Sequence, residues 1–544
     1  MMRQWIQRTL PMVADSSGGL PPLIASLLRP EAYPHPVQAV QLVETHISWV
    51  LLTGRWAYKI KKPIDLGFVQ AGCLSQRQHF CREELRLNRR LAPDLYCAVV
   101  SVLGPAERAR ISLVEAADGL IEPAVRMRQF PARSLLSRCL ADGVPRSSFA
   151  QLAEDLARFH RRAEAAPVGG RFGNVEAVVE PVETNLRVLE EEVSSATSRH
   201  LLARHRAWVA SEASRLGPRF RERLRDGAIR ECHGDLHCGN VHRRDDGSLE
   251  VFDAIDFNPG LRWIDPISEM AFLAMDLQVL GEPAAAACLL NRWLECSGDY
   301  AGMDLWRWYS AYRAMVRAKV TALRQRQAPN PANQDELERY LARAAAMESA
   351  PGGGLVLMHG LSGSGKSFCS EQLVASLPAL RLRSDLERAR AFGRLPGQEG
   401  WRHDADPYSP EVNAWLFGQH LPALTQRLLS SGFHVIVDAT FLRQRERQQM
   451  LSLASRLQRP AWIVACHCSD ATAAQRLSRR QQQGQDPSEA DLAIREQQQR
   501  WLEPLVGSER SRCLAFDEGD DPEALAVQLR QRLRAEAASL RNKG

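Results

Sequence analysis

The stretch "CHGDLHCGN", residues 232–240, decides what the first half of this chain is. His233 and His237 are four apart with Cys232 and Cys238 beside them, which offers a zinc reading. That reading needs both histidines on one helix face with a glutamate between them. Gly234 and Gly239 argue against a helix and the glutamate is missing, so zinc is the weaker choice. The stronger one is H-x-D-x-x-x-x-N, formed by His233, Asp235 and Asn240. At that spacing the aspartate takes a proton from an acceptor hydroxyl and the asparagine holds Mg²⁺.

This is the spacing of a kinase catalytic loop, and the residues around it stand in kinase order. Downstream, "EVFDAIDF" delivers Asp256, where a kinase places its second metal-binding aspartate. Upstream, "HISWVLLTGRWAYKIKK" reads as strand, tight turn at Thr53-Gly54, strand. It puts Lys59 where a lysine reaches the α- and β-phosphates of ATP. The helix "RQHFCREELRLNRRLAP", stopped by Pro93, offers Glu84, or its neighbour Glu83, as the ion-pair partner. "VRMRQF", at 125–130, sits where a hinge would bind adenine through its backbone. Each residue alone has a plainer reading: a basic strand end for Lys59, a solvated helix for Glu84, a turn for Asp256. Order and spacing together weigh against those.

"HGDLHCGN" and "IDFNP" resemble the aminoglycoside phosphotransferase and choline kinase branch of the kinase fold, over about 35–325. The resemblance implies an α+β bilobal protein-kinase-like domain. No G-x-G-x-x-G precedes Lys59, and no A-P-E follows Asp256. The second departure argues against a protein substrate.

The next boundary is "QRQAPNPANQDELERYLARAAAMESAPGGG": a turn-rich piece, a helix, then Pro-Gly-Gly-Gly. Beyond it "LVLMHG" is a buried strand running into "GLSGSGKS", Gly360–Ser367. That fits G-x-x-x-x-G-K-[ST]. Gly360, Gly363 and Gly365 let backbone N–H groups turn in around phosphates. Lys366 would reach the β- and γ-phosphates and the Ser367 hydroxyl would ligate Mg²⁺. Apolar strands alternating with helices predict a parallel sheet, hence an α/β P-loop NTPase fold.

Asp385, just after the strand in "LRLRSDLERAR", could take an acceptor proton, and Arg388 could bind an acceptor anion; Asp385 alone also fits a helix N-cap. Asp438 ends "HVIVDAT" as a Walker-B-type carboxylate acting on Mg²⁺. Arg476, Arg479 and Arg480 share a helix face that could close on the γ-phosphate; a solvated basic face fits as well. These residues, over about 355–510, resemble the P-loop kinases that include polynucleotide 5′-kinase and the zeta-toxin group. That group implies Asp385 as base and Arg388 as acceptor ligand.

The whole chain resembles bacterial proteins described as bifunctional aminoglycoside phosphotransferase/ATP-binding protein. The expected layout is a leader at 1–30, a kinase-like domain at 31–325, a helical linker at 326–353 and a P-loop domain at 354–544. The 544 residues carry ordinary contents of 45% hydrophobic and 25% charged residues. The net charge of +6 is small for the length and alone argues for neither nucleic acid nor membrane. No apolar run is long enough to span a bilayer, and no secretory signal opens the chain. Twelve scattered cysteines read as reduced thiols, so a cytoplasmic enzyme is expected. The leading expectation is an ATP- and Mg²⁺-dependent phosphotransferase with two ATP sites acting on small-molecule hydroxyls. Two alternatives stand beside it: a P-loop domain that gates the other as an ATPase switch, and a nucleic-acid 5′-end kinase.

Overall fold

The computed structural model describes residues 19–541 apart from 46, 66–69, 117, 168, 350–351, 404–405 and 484–490. The leader is thus described only from residue 19, and the "DPSEA" stretch at 486–490 lies outside the described residues. The chain separates into two units. One holds the residues up to Gly281 together with Leu305–Glu348; the other holds Glu282–Asp304 and the residues from Ser349 on.

The first unit begins with an antiparallel sheet of β1 (Gln41–Glu44), β2 (Ser48–Leu52), β3 (Trp56–Lys61), β4 (Tyr96–Leu103), β5 (Arg110–Ser112) and β6 (Leu120–Arg128). Their order is β1-β2-β3-β6-β4-β5. The expected tight turn joins β2 to β3, with Gly54 at φ 94°, a conformation glycine adopts without strain. Side chains alternate along β3. Tyr58 and Ile60 enter an apolar cluster with Leu51, Val100 and Ala124, in which Ile60, Leu51 and Val100 each contribute roughly 1.5–3 kcal/mol on burial. Lys59 and Lys61 share the opposite face, toward helix α1 (Leu74–Asn88). The buried side of α1 carries Cys81, Glu84, Leu87 and Asn88, the spacing of one helical stripe. Cys81 packs with Tyr96, Val99 and Val125, so a charged Glu84 is carried into the protein on an apolar face.

Helices Arg146–Arg162, Val175–Glu192, Ala196–Arg225, Pro266–Val279, Trp306–Gln327 and Pro331–Ala346 make up most of the rest. A hairpin of β7 (Val241–Arg243) and β8 (Leu249–Val251) follows the 232–240 loop. Helix Pro266–Val279 is apolar nearly all round and buried from Pro266 to Leu277. Helix Pro331–Ala346, expected within a linker, belongs to this unit and buries Leu337, Tyr340, Leu341 and Ala344 along one stripe.

The second unit is built on a parallel sheet of β9 (Leu355–His359), β10 (Ala379–Arg383), β11 (His434–Asp438), β12 (Ala461–Cys466) and β13 (Cys513–Phe516). The order is β10-β11-β9-β12-β13, so both site strands, β9 and β11, are central. The strands read as continuous apolar runs because both faces are covered. The unit also takes in helix Pro283–Ser297, from within the 31–325 stretch. The reason is local. β10 is an edge strand, and the Asn291 amide donates to Ala379 O at 2.9 Å while its Oδ1 accepts the Arg381 N–H at 2.7 Å. One side chain thus covers the exposed edge as a strand would. Glu295, one helical turn on, pairs with the Arg381 guanidinium at 2.6 Å.

Candidate active sites

In the first unit five charged groups interlock. Lys59 Nζ lies 2.7 Å from Glu84 Oε1 and 2.6 Å from Asp253 Oδ1. Lys61 Nζ lies 2.6 Å from Glu84 Oε2 and 2.5 Å from Asp256 Oδ2. Burial alone would raise the Glu84 pKa, but the two lysines outweigh it and hold it at about 2. Burial would lower Lys59, and Asp253 and Glu84 more than offset that, leaving it well above the usual lysine range. The two aspartates differ. Asp256 is buried, and its pKa is raised by burial and by Glu84 against the pull of Lys61. The Asp253 side chain is 45% exposed, and its backbone sits at φ 65° in the left-handed region, which a non-glycine residue enters at a cost.

The 232–240 loop is not helical where the zinc reading needs it to be. Asn240 Nδ2 donates to Asp235 O at 3.0 Å and to Asp235 Oδ2 at 3.1 Å. The half-buried Asp235 carboxyl is pushed up by burial, yet His237, His233 and Arg313 hold it below the usual carboxylate range. His233 Nε2–H donates to Phe252 O at 2.8 Å, which leaves Nδ1 to accept the Asp235 N–H at 3.3 Å. Both ring nitrogens of His233 are therefore spent inside the protein. Glu269 fixes the loop from below: Oε1 accepts the His233 and Gly234 N–H groups at 2.8 and 3.0 Å, and Oε2 meets His160 Nε2 at 2.8 Å. A Cβ on Gly234, at φ 91°, would come 2.8 Å from Leu261 O, so the residue has to be glycine. Among the described residues His160, Cys232 and Glu269 are close enough to share a metal, but Glu269 already accepts these three bonds.

In the second unit the phosphate loop opens onto a cavity of about 1130 Å³ lined by Ser362–Phe368, Asp385, Arg388, Asp438, Arg476 and Arg480, among others. Gly360, Gly363 and Gly365 all have positive φ, and a Cβ on Gly360 would sit 2.5 Å from Cys466 O. Such a cradle fits phosphate, because the glycines let backbone N–H groups approach it and the Lys366 and Arg476 side chains line the same cavity. Lys366 Nζ donates to Leu361 O at 2.8 Å, and burial lowers its pKa. Buried Asp438 accepts Ser370 Oγ–H at 3.0 Å. Arg381 donates to Ser367 O at 3.3 Å, bracing the residue whose hydroxyl was expected to ligate Mg²⁺. The loop is also gripped from helix Leu492–Trp501: Gln498 Oε1 accepts the Ser362 N–H at 2.8 Å, and Arg495 donates to Ser362 O at 2.6 Å.

Arg388 is buried and lines the cavity, but its terminal nitrogens donate to Pro407 O at 2.5 Å and Asn413 Oδ1 at 2.8 Å. Its guanidinium lies 4.7 Å over the Tyr408 ring. It ties down the 407–413 wall. Arg476 donates to Gly363 O at 3.3 Å, and Arg480 lines the cavity beside it. Arg479 is exposed and does not line it. Tyr408 and Trp501 do line it; an arginine also lies over Trp501, Arg443 at 5.7 Å.

Comparison with known proteins supplies the family. An uncharacterized protein of Mycobacterium tuberculosis H37Rv is 31% identical over 413 residues, 75% of this chain and 80% of that protein. The chain belongs to the same family as this mycobacterial protein. The family profile AAA_33, described as an AAA domain, matches residues 355–505, a span holding the phosphate loop, Asp385, Asp438 and all three helix arginines. Among solved structures, a choline/ethanolamine kinase family protein from Mesorhizobium loti is 14% identical with a TM-score of 0.37, over 60% of this chain and 94% of that one. A gluconokinase from Sinorhizobium meliloti is 20% identical with a TM-score of 0.25, over 35% of this chain and 96% of that one.

Sequence reasoning passed over Lys61, Asp253 and Glu269. Lys61 had a signal, since it stands two residues from Lys59 and so shares its strand face. Glu269 had one too, as an acid in the apolar run of helix Pro266–Val279. Asp253 had none that separated it from Asp256.

Proposed function

We propose that this protein is an ATP-dependent phosphotransferase with two ATP sites, each passing a γ-phosphoryl group to a hydroxyl of a small-molecule acceptor. The observation that carries the reading is the Lys59–Glu84–Asp253 ion-pair set, joined to the Asp235–Asn240 loop by the His233 to Phe252 hydrogen bond. ATP supplies the phosphoryl group, and Mg²⁺ neutralises its charge.

In the first site Glu84 holds Lys59 for the phosphates. Asn240 and Asp253 hold the metal; Asp253 takes the place expected of Asp256, because it is the more exposed carboxylate and touches Lys59. Asp256 and Lys61 back Glu84 from behind. Asp235, a carboxylate at neutral pH, orients the acceptor hydroxyl and accepts its proton. In the second site the backbone of Gly360–Ser367 and Lys366 cradle phosphates, while Ser367 and Asp438 serve the metal. Asp385 is the base, and Arg476 and Arg480 face the γ-phosphate. Arg388 shapes the acceptor wall. No helix among the described residues is long and apolar enough to cross a membrane. No disulfide joins cysteines among the described residues, which supports a reducing, cytoplasmic setting.

The test is ADP release from ATP·Mg²⁺ with and without a small-molecule extract of bacterial cytosol. The extract should stimulate wild type, and Asp235→Asn or Asp385→Asn should remove the stimulated rate of its own site. Stimulation that survives in both single variants and in their combination sinks the assignment of the two bases.

A further inference from the structure

Against the 232–240 loop lies a buried carboxylate that the reaction does not use. Asp276, 1% exposed, accepts the Cys238 N–H on Oδ2 at 2.9 Å. Cys238 stands between Asp235 and Asn240, so this bond pins the loop at its middle. The other oxygen, Oδ1, accepts the Tyr340 hydroxyl at 2.6 Å, with Arg317 Nε 3.9 Å away. Arg317 also donates to Tyr340 Oη at 3.3 Å and reaches Glu336 at 3.5 Å. A buried carboxylate keeps its place only while its oxygens are satisfied. Tyr340 and Glu336 both belong to helix Pro331–Ala346, the last helix before the chain returns to the P-loop unit.

We propose that Tyr340 is a positioning residue for the first phosphotransfer site, its hydroxyl setting, through Asp276, the loop that carries Asp235 and Asn240. The proposal rests on reading that loop as a metal- and acceptor-binding loop. It makes the helix expected to be a linker part of that site. Without the hydroxyl, Oδ1 loses its close partner and Arg317 is next at 3.9 Å, so Asp276 can turn, and Cys238 with Asn240 two residues on loses its fixed position. Metal affinity falls first, because Asn240 is a metal ligand, whereas Lys59 is anchored elsewhere.

The experiment uses the full chain carrying Lys366→Ala, so that the P-loop site does not report. A fluorescent ATP analogue is titrated with and without Mg²⁺, and melting is followed in parallel. Tyr340→Phe should need about five-fold more Mg²⁺ for half-saturation, the size of one hydrogen bond's contribution, with metal-free nucleotide affinity unchanged. Asp276→Asn, a second variant in case the first folds poorly, should shift the Mg²⁺ requirement the same way. A lower melting temperature with an unchanged Mg²⁺ requirement would overturn the proposal and leave Tyr340 a packing residue. No Mg²⁺-dependent binding in the parent would instead overturn the reading of the loop, and the proposal with it.

Discussion

Replacing Lys61 with methionine removes the cation between two buried carboxylates. Lys61, Glu84 and Asp256 side chains are at most 4% exposed. Glu84 keeps Lys59 at 2.7 Å and stays paired. Asp256 loses its ion-pair partner at 2.5 Å. Breaking a buried pair from one side costs roughly 3–5 kcal/mol. A second route leads to the same range. Asp256 can escape by taking a proton, which at pH 7 costs about 4 kcal/mol from an ordinary carboxylate pKa of ~3.9, at 1.36 kcal/mol per unit. At pH 6 that escape costs about 3 kcal/mol. The sign follows: the Asp256 pKa, already raised in wild type, rises further once Lys61 no longer pulls it down, so stability is present below ~3.9 and is lost as pH rises toward the folded value. The deficit against wild type should therefore widen with pH. The assay is thermal unfolding of both proteins at pH 6 and 7. A unit of about 300 residues loses about 1.5–2 °C per kcal/mol, so the deficit should be about 6–8 °C at pH 7 and about 2 °C smaller at pH 6. An equal deficit at both pH values, or none, would refute the reasoning.

Two further predictions concern packing. Lys319 is buried beside Asn185 Oδ1 at 2.5 Å, and burial lowers its pKa to about 8. The folded state disfavours its charge, so at neutral pH it costs about 3 kcal/mol, and that cost fades between pH 8 and ~10.5. Lys319→Met should melt higher than wild type at pH 7.5, with a gap that narrows by pH 9.5; a gap independent of pH would count against the assignment. Asn291→Leu strips the covering bonds from the β10 edge and leaves Ala379 O and the Arg381 N–H buried and unpaired, at about 2–4 kcal/mol. Differential scanning calorimetry should show a lower second-unit transition with the first unchanged, and no shift would mean the edge finds other partners.

How much of this could be read from residue order varies from place to place. The β2–β3 turn, helix α1 and the phosphate loop were legible because each rests on local chemistry: a glycine turn, an apolar stripe, a glycine spacing. Glu84 was legible for a related reason, since order placed it after Lys59 and its helix has one apolar face. Asp256 was the aspartate expected at the metal; the stretch "VFDAIDF" gives no local sign for Asp253 beside it, and what separates the two is a backbone φ and two lysine partners. Arg476 and Arg480 line the cavity while Arg479 does not; a helical period puts all three on one broad face but does not say where a cavity rim falls. The capture of 282–304 by the second unit depends on Asn291 meeting a strand edge nearly ninety residues later. No local pattern announces such a bond.

The central claim is that one chain holds two separate ATP sites. The direct measurement is calorimetric titration of a non-hydrolysable ATP analogue with Mg²⁺ into wild type, Lys59→Met and Lys366→Ala. Two analogues bound per wild-type chain, and one per chain in each variant, is the expected result. A single site in wild type, or loss of all binding in Lys366→Ala, would contradict it and leave the first unit a kinase-like fold without its nucleotide.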